Sequence, residues 1–192
     1  VANTEIGRDI TADELLENFD RIILATGASV ARDLEVPGRE LNGIRFAVDF
    51  LTETTKAVLN SEDKSLPKTL EGKHVLVIGG GDTGNDCIGT AVRLGASSVT
   101  QLEITPEPPI ERPKNNPWPE YPKTKRTGYG QEEALTVYNR SLTSYATSTT
   151  AFIGDDSGHV KIAKTISVGP GFKPIEGTEN EIKADLVLLA MG

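Results

Sequence analysis

The run Gly79-Gly80-Gly81-Asp82-Thr83-Gly84 carries the strongest chemical signal in the sequence. Its G-x-G-x-x-G spacing is that of a turn built to cradle a diphosphate. Gly79 permits a sharp exit from a strand. Gly81, with no side chain, lets a pyrophosphate approach the backbone, and Gly84 lets the next helix pack close to the sheet. The anion then rests on free N–H groups at the positive end of that helix. Gly80, Asp82, Thr83 and Asn85 complete or flank the turn. Asp82 and Asn85 are placed to hydrogen-bond a ribose or to cap the helix, and capping is the commoner use of such residues. Glu103, 19 positions beyond Gly84, stands where a carboxylate accepts hydrogen bonds from a ribose 2′-hydroxyl.

These residues need a strand before the turn, a helix after it and a second strand behind Glu103, and the sequence supplies all three. Residues 73–78 form a compact apolar strand, about a dozen helical residues run toward Gly95, and 99–104 read as the next strand. Elsewhere, Thr11-Ala-Asp-Glu14 has the spacing of a capping box and opens a short helix. The apolar run 21–25 reads as a buried strand, and 46–59 as a helix burying Phe46, Phe50, Leu51, Val58 and Leu59. Residues 60–70 are a polar connector. Residues 131–138 are helical, 148–153 and 159–168 make a hairpin about Gly154-Asp-Asp-Ser-Gly158, and 185–190 are a final apolar strand. Seven of the eleven prolines fall within 106–122, which therefore lacks regular structure. The expected fold is α/β: a Rossmann-like three-layer domain with a mainly parallel sheet, helices on both faces, and an antiparallel hairpin.

The bulk properties narrow the partners. The chain has 192 residues, 37% hydrophobic and 25% charged, and a net charge of −8. That balance disfavours nucleic acid and anionic membrane surfaces, and no apolar run approaches the roughly 18 residues of a membrane span. No leader peptide is evident, and a cytoplasmic, reducing location is expected. One cysteine, Cys87, excludes an internal disulfide or cysteine-ligated cluster within these residues and reads as a small buried hydrophobe. His74 and His159 have no nearby ligand-type partners, so no metal site is expected. Glu103 and Gly84 lean toward NADH. Against this, Arg112, Lys114, Lys123, Lys125 and Arg126 lie in or beside the proline-rich loop, where they either fold over a phosphate or form a solvated basic patch. Trp118 either covers a nicotinamide or pins its own loop.

Val77-Ile-Gly-Gly-Gly-Asp-Thr-Gly-Asn-Asp-Cys87, Leu102-Glu-Ile-Thr-Pro-Glu-Pro-Pro109, Asn116-Pro-Trp-Pro119, Tyr129-Gly-Gln-Glu-Glu-Ala134 and the segment 184–192 together resemble the small subunit of glutamate synthase. The resemblance implies an NADH- or NADPH-binding domain inserted into an FAD domain of the same chain. Residues 1–35 would then be a lead-in at the FAD-domain junction, 36–183 the nucleotide domain, and 184–192 the return strand of a longer chain. It also implies FAD and iron–sulfur clusters in the full-length enzyme, and a large subunit that makes glutamate from glutamine and 2-oxoglutarate. Hydride transfer between two cofactors needs no general acid or base, so no catalytic side chain is expected. The competing readings are another two-domain flavin reductase, ferredoxin-reductase-like or dihydropyrimidine-dehydrogenase-like, and a non-enzymatic NADH sensor. The missing second glycine fingerprint and cysteine-rich segment imply that these residues alone bind pyridine nucleotide but neither hold FAD nor turn over.

Overall fold

In the computed structural model, which describes residues 2–62 and 65–192, Thr11 opens the first helix as its spacing predicts. Its hydroxyl accepts from the Glu14 N–H, and the Glu14 carboxylate accepts from the Thr11 N–H at 2.8 Å. This closes the capping box of α1 (Ala12–Asn18). Residues 63 and 64 of the expected connector lie outside the described residues, as does residue 1.

The chain divides into two units, residues 1–30 and 31–192. The first contains α1 followed by residues that form neither helix nor strand. The buried strand expected at 21–25 is not there: the segment is neither helix nor strand, and Ile23 is 90% exposed. An apolar run becomes a strand only when a neighbour takes up its backbone groups, and among the described residues this segment has no strand pairing.

The second unit is built on a five-stranded parallel sheet. Its members are β1 (Ile44–Phe46), β2 (His74–Ile78), β3 (Ser98–Leu102), β4 (Thr143–Ser144) and β8 (Leu186–Leu189). They lie in the order β1-β8-β2-β3-β4. The final apolar strand is thus central, hydrogen-bonded to β1 on one side and β2 on the other. Strands covered on both faces read as unbroken hydrophobic runs, and His74-Val-Leu-Val-Ile78 and Leu186-Val-Leu-Leu189 do so.

Alternate residues of these strands enter two different cores. Val75, Val77, Val99 and Leu188 pack beneath α2 (Ala47–Asn60), α3 (Asp82–Arg93) and α4 (Tyr129–Tyr138), against Phe50, Ile88 and Ala134. Leu76, Ile78, Leu102, Val187 and Leu189 face the other way, against Phe152, Val160 and Ala163. Those come from an antiparallel sheet of β5 (Thr147–Gly154), β6 (Val160–Ser167) and β7 (Asn180–Lys183). The expectation of helices on both faces is therefore corrected: the second layer is a sheet, and the hairpin has a third strand. Of the residues expected to be buried here, Phe50 on α2 is buried and Phe46, at the end of β1, is half-buried, but Leu59 is exposed.

The proline-rich stretch 106–122 has no helix or strand, yet it is tightly held. The Asn116 side chain, 2% exposed, donates to the Glu120 carboxylate and the Tyr121 carbonyl and accepts from the Lys123 N–H. Trp118, at 82% exposed, does not pin the loop; Asn116 does.

In the turn between β5 and β6, the Asp155 carboxylate accepts from the Ser157 hydroxyl, the His159 N–H and the Ser157 N–H. These bonds hold its pKa down at about 2, against an ordinary 3.8. A depressed carboxylate stabilises the fold above its unfolded pKa, and that contribution disappears as pH falls through the folded value. The expected outcome is a loss of stability between about pH 4 and pH 2 that Asp155→Asn makes shallower, read from urea midpoints across that window.

Candidate nucleotide-binding site

The chain leaves β2 at Ile78 and turns at once. Gly79 sits at φ 123°, and a Cβ there would come within 2.2 Å of the Ala190 carbonyl oxygen. Its N–H donates to the Leu102 carbonyl, while the Ala190 N–H donates to Ile78. The turn is therefore wedged between the ends of β3 and β8, in the crevice where an open α/β sheet takes its ligands. A Cβ on Gly84 would lie 2.4 Å from the Gly79 carbonyl oxygen, and one on Gly80 would lie 2.0 Å from a Glu103 carboxylate oxygen.

Gly81 differs from these three. Its φ of −79° suits any residue, and a Cβ built there meets nothing within 4 Å. Neither strain nor packing within this chain requires glycine at 81. The space left open is at the N-terminus of α3, whose first turn carries no side-chain cap, so its N–H groups are available to an anion.

Two pockets flank this point. The first, about 500 Å³, is lined by apolar side chains including Leu34, Leu102, Ile104 and Met191, with Arg32 and Thr149. Among the described residues, the Thr149 hydroxyl is the one buried side-chain polar atom without a hydrogen-bond partner. The second, about 420 Å³, is polar, with Thr105, Thr124, Arg126, Thr127 and Tyr145 in its wall. The two share Gly80, Gly81 and Glu103, so together they form a trough with the glycine turn at its middle. Such a trough suits a ligand with a diphosphate at its centre, a flat apolar end and a sugar-rich end.

Most of the residues read from the sequence meet here. Gly79, Gly80, Gly81, Thr83 and Glu103 line the first pocket, and Asp82 and Asn85 join the second; Gly84 lies buried beneath the turn. Asp82 is exposed at the first turn of α3. Asn85 caps a helix, but not its own: its Oδ1 accepts from the Gly130 and Gln131 N–H groups of α4, whose N-cap Gly128 has no side chain to offer. Glu103 Oε1 accepts from both the N–H and the hydroxyl of Thr105. Arg112 lines neither pocket and donates to the Glu120 carbonyl inside the proline-rich loop. Cys87 is fully buried; burial, then the Asp86 charge, pushes its thiol up to about 12, so it carries no reactive thiolate.

Gln101 went unnoticed in the sequence. It is completely buried, and its amide donates to the Gly79 carbonyl at 2.9 Å. Its own carbonyl accepts from Gln131 and Thr143, each at 2.8 Å. It thereby fixes the turn to β4 and α4. A lone glutamine in a strand gives no local sign of this, because every partner is distant in sequence. Among the described residues, no group of three or more His, Cys, Asp or Glu is placed to hold a metal ion, and no helix is long and apolar enough to cross a membrane.

A parallel sheet with a glycine turn at its switch point and a two-ended trough defines a dinucleotide-binding unit of the Rossmann type. The chain belongs to the pyridine nucleotide-disulphide oxidoreductase family, which it matches over residues 5–192. It is 42% identical to the NADH glutamate synthase of Saccharomyces cerevisiae, covering all of this chain and 9% of that protein. It is 43% identical to the small chain of the NADPH glutamate synthase of Bacillus subtilis, covering 41% of that protein. The chain thus spans less than half the length of these relatives. Among solved structures it resembles FprA of Mycobacterium tuberculosis in complex with NADPH, with a TM-score of 0.56 at 17% identity over 99% of this chain and 53% of that one; this likeness is one of fold.

The glycine geometry separates two kinds of constraint. Gly84→Val forces a side chain into the Gly79 carbonyl and is expected to cost about 3 kcal/mol or more of stability. Gly81→Val enters open space and is expected to cost about 1 kcal/mol or less. Denaturant midpoints of the two variants, compared with the parent, check the contrast.

Proposed function

We propose that this chain is the NAD(P)H-binding part of the electron-input arm of a glutamate synthase. The observation that carries the reading is Gly81: a position with ordinary backbone angles and empty space before it, at an uncapped helix end, in the middle of the trough. A glycine there serves what enters the site. Gly79, Gly80, Gly81, Asp82, Thr83, Gly84 and Asn85 form or support the diphosphate seat, and Glu103 stands at the junction of the pockets for a ribose. When bound, the nicotinamide supplies the hydride that reduces FAD; the chain's own task is to hold and aim it.

FAD belongs, in this reading, to the remainder of a longer chain. Support comes from the meeting of entry and exit: the Arg32 N–H donates to the Gly192 carbonyl at 2.8 Å. Residues 1–35 then lead in from the FAD domain and 184–192 lead back. The apolar segment 21–25 finds its strand partners in that domain, which explains its exposure here. Electrons go on through iron–sulfur clusters to the large subunit, which forms glutamate from glutamine and 2-oxoglutarate in the cytoplasm. The 42% and 43% identities to glutamate synthases support the assignment.

Parallel calorimetric titrations of the chain with NADH, NADPH and FAD test it. Saturable binding of a nicotinamide nucleotide with FAD silent is expected, as is loss of that binding in Gly81→Val with the melting temperature retained. Tight FAD binding with both nicotinamide nucleotides silent would sink the proposal.

A further inference from the structure

Resting on that assignment, a narrower question is which residue reads the 2′ position of the adenosine ribose. The sugar-rich end of the ligand belongs in the polar pocket. The end of β3 brings Glu103 and Thr105 to its wall, and the segment entering α4 brings Thr124, Arg126 and Thr127. Among the described residues lining it, Arg126 is the one cation. The other basic residues near the proline-rich loop are placed differently. Arg112 is turned onto Glu120, Lys125 is paired with Glu107, and Lys114 and Lys123 line neither this pocket nor the apolar one.

Arg126 is also oriented. Its guanidinium lies over the Tyr121 ring, 5.0 Å from the centroid, and one N–H donates to the Tyr121 hydroxyl at 2.9 Å. Arginine has five N–H donors in a planar fork that matches a phosphate, so donors remain beyond the one given to Tyr121. Thr124 and Thr127, on either side of it in the chain, bring two hydroxyls to the same wall. Glu103 contributes in the opposite sense: Thr105 engages one of its oxygens, and the carboxylate stays beside Gly80 at the ridge between the pockets. A carboxylate accepts from a 2′-hydroxyl and repels a 2′-phosphate, whereas a guanidinium attracts the phosphate.

We infer that Arg126 is the specificity-determining residue of this site, admitting the 2′-phosphate of NADPH, with Thr124 and Thr127 as neutral donors beside it. Glu103 serves the 2′-hydroxyl of NADH, and the site has the means to take either nucleotide.

The test is a calorimetric comparison of the parent chain, Arg126→Ala and Arg112→Ala, each titrated with NADPH and with NADH in one low-salt buffer. Arg126→Ala is expected to weaken NADPH by about tenfold or more, the scale of losing a hydrogen-bonded charge, and to change NADH by less than about threefold. An equal loss for both nucleotides would mark Arg126 as a structural support of its loop and overturn the inference. So would an unchanged NADPH affinity, or the selective loss appearing in Arg112→Ala instead. A parent chain that binds NADH but not NADPH also overturns it while leaving the proposed function standing; a parent that binds neither defeats both.

Discussion

The Gly79 carbonyl is where the nucleotide unit is tied together. It accepts the Gln101 amide, it sets how near α3 comes through Gly84, and it belongs to a residue whose N–H already bonds β3. Moving that oxygen would displace the first turn of α3, the floor of both pockets and, through Gln101, the start of α4. A buried amide with all its partners present is rigid, whereas one that loses a partner is costly. Fold and site therefore share one constraint: the packing that lets the helix approach the strand also aims its open N–H groups into the trough.

Charge is arranged locally against the global balance. Under the proposed function, a chain of net charge −8 receives an anion through backbone dipoles and the one arginine that, among the described residues, lines the polar pocket. The proline-rich stretch makes that placement possible. With Asn116 satisfying three of its neighbours from a buried position, the loop is fixed without secondary structure, and its end delivers Thr124, Arg126 and Thr127 in order to one wall.

Much of this was legible in the sequence, and the exceptions share a cause. The glycine turn, the capping box at Thr11 and the central strands are local patterns, so short windows revealed them. The segment 21–25 has the composition of a strand but no strand partner among the described residues, and pairing cannot be read from one strand alone. The third strand of the second layer is not legible in the sequence because β7, Asn180-Glu-Ile-Lys183, is mostly polar and exposed, and only its pairing with β6 shows it to be a strand. Gln101, Asn85 and Asn116 look like ordinary polar residues. Their roles come from partners up to 46 positions away, as between Asn85 and Gln131.

Under the proposed function, in which residues 1–35 lead in and 184–192 lead back, the contact between Arg32 and Gly192 bears on how such a unit is exchanged between proteins. Where the two crossings of a module lie one hydrogen bond apart, a host can lose it and close the gap with a very short splice, since joining neighbouring ends costs little loop entropy. The same adjacency makes the paired crossings a narrow neck. In that reading the unit is joined to its host at one corner, and the few residues on either side of that hydrogen bond are the whole of its covalent attachment.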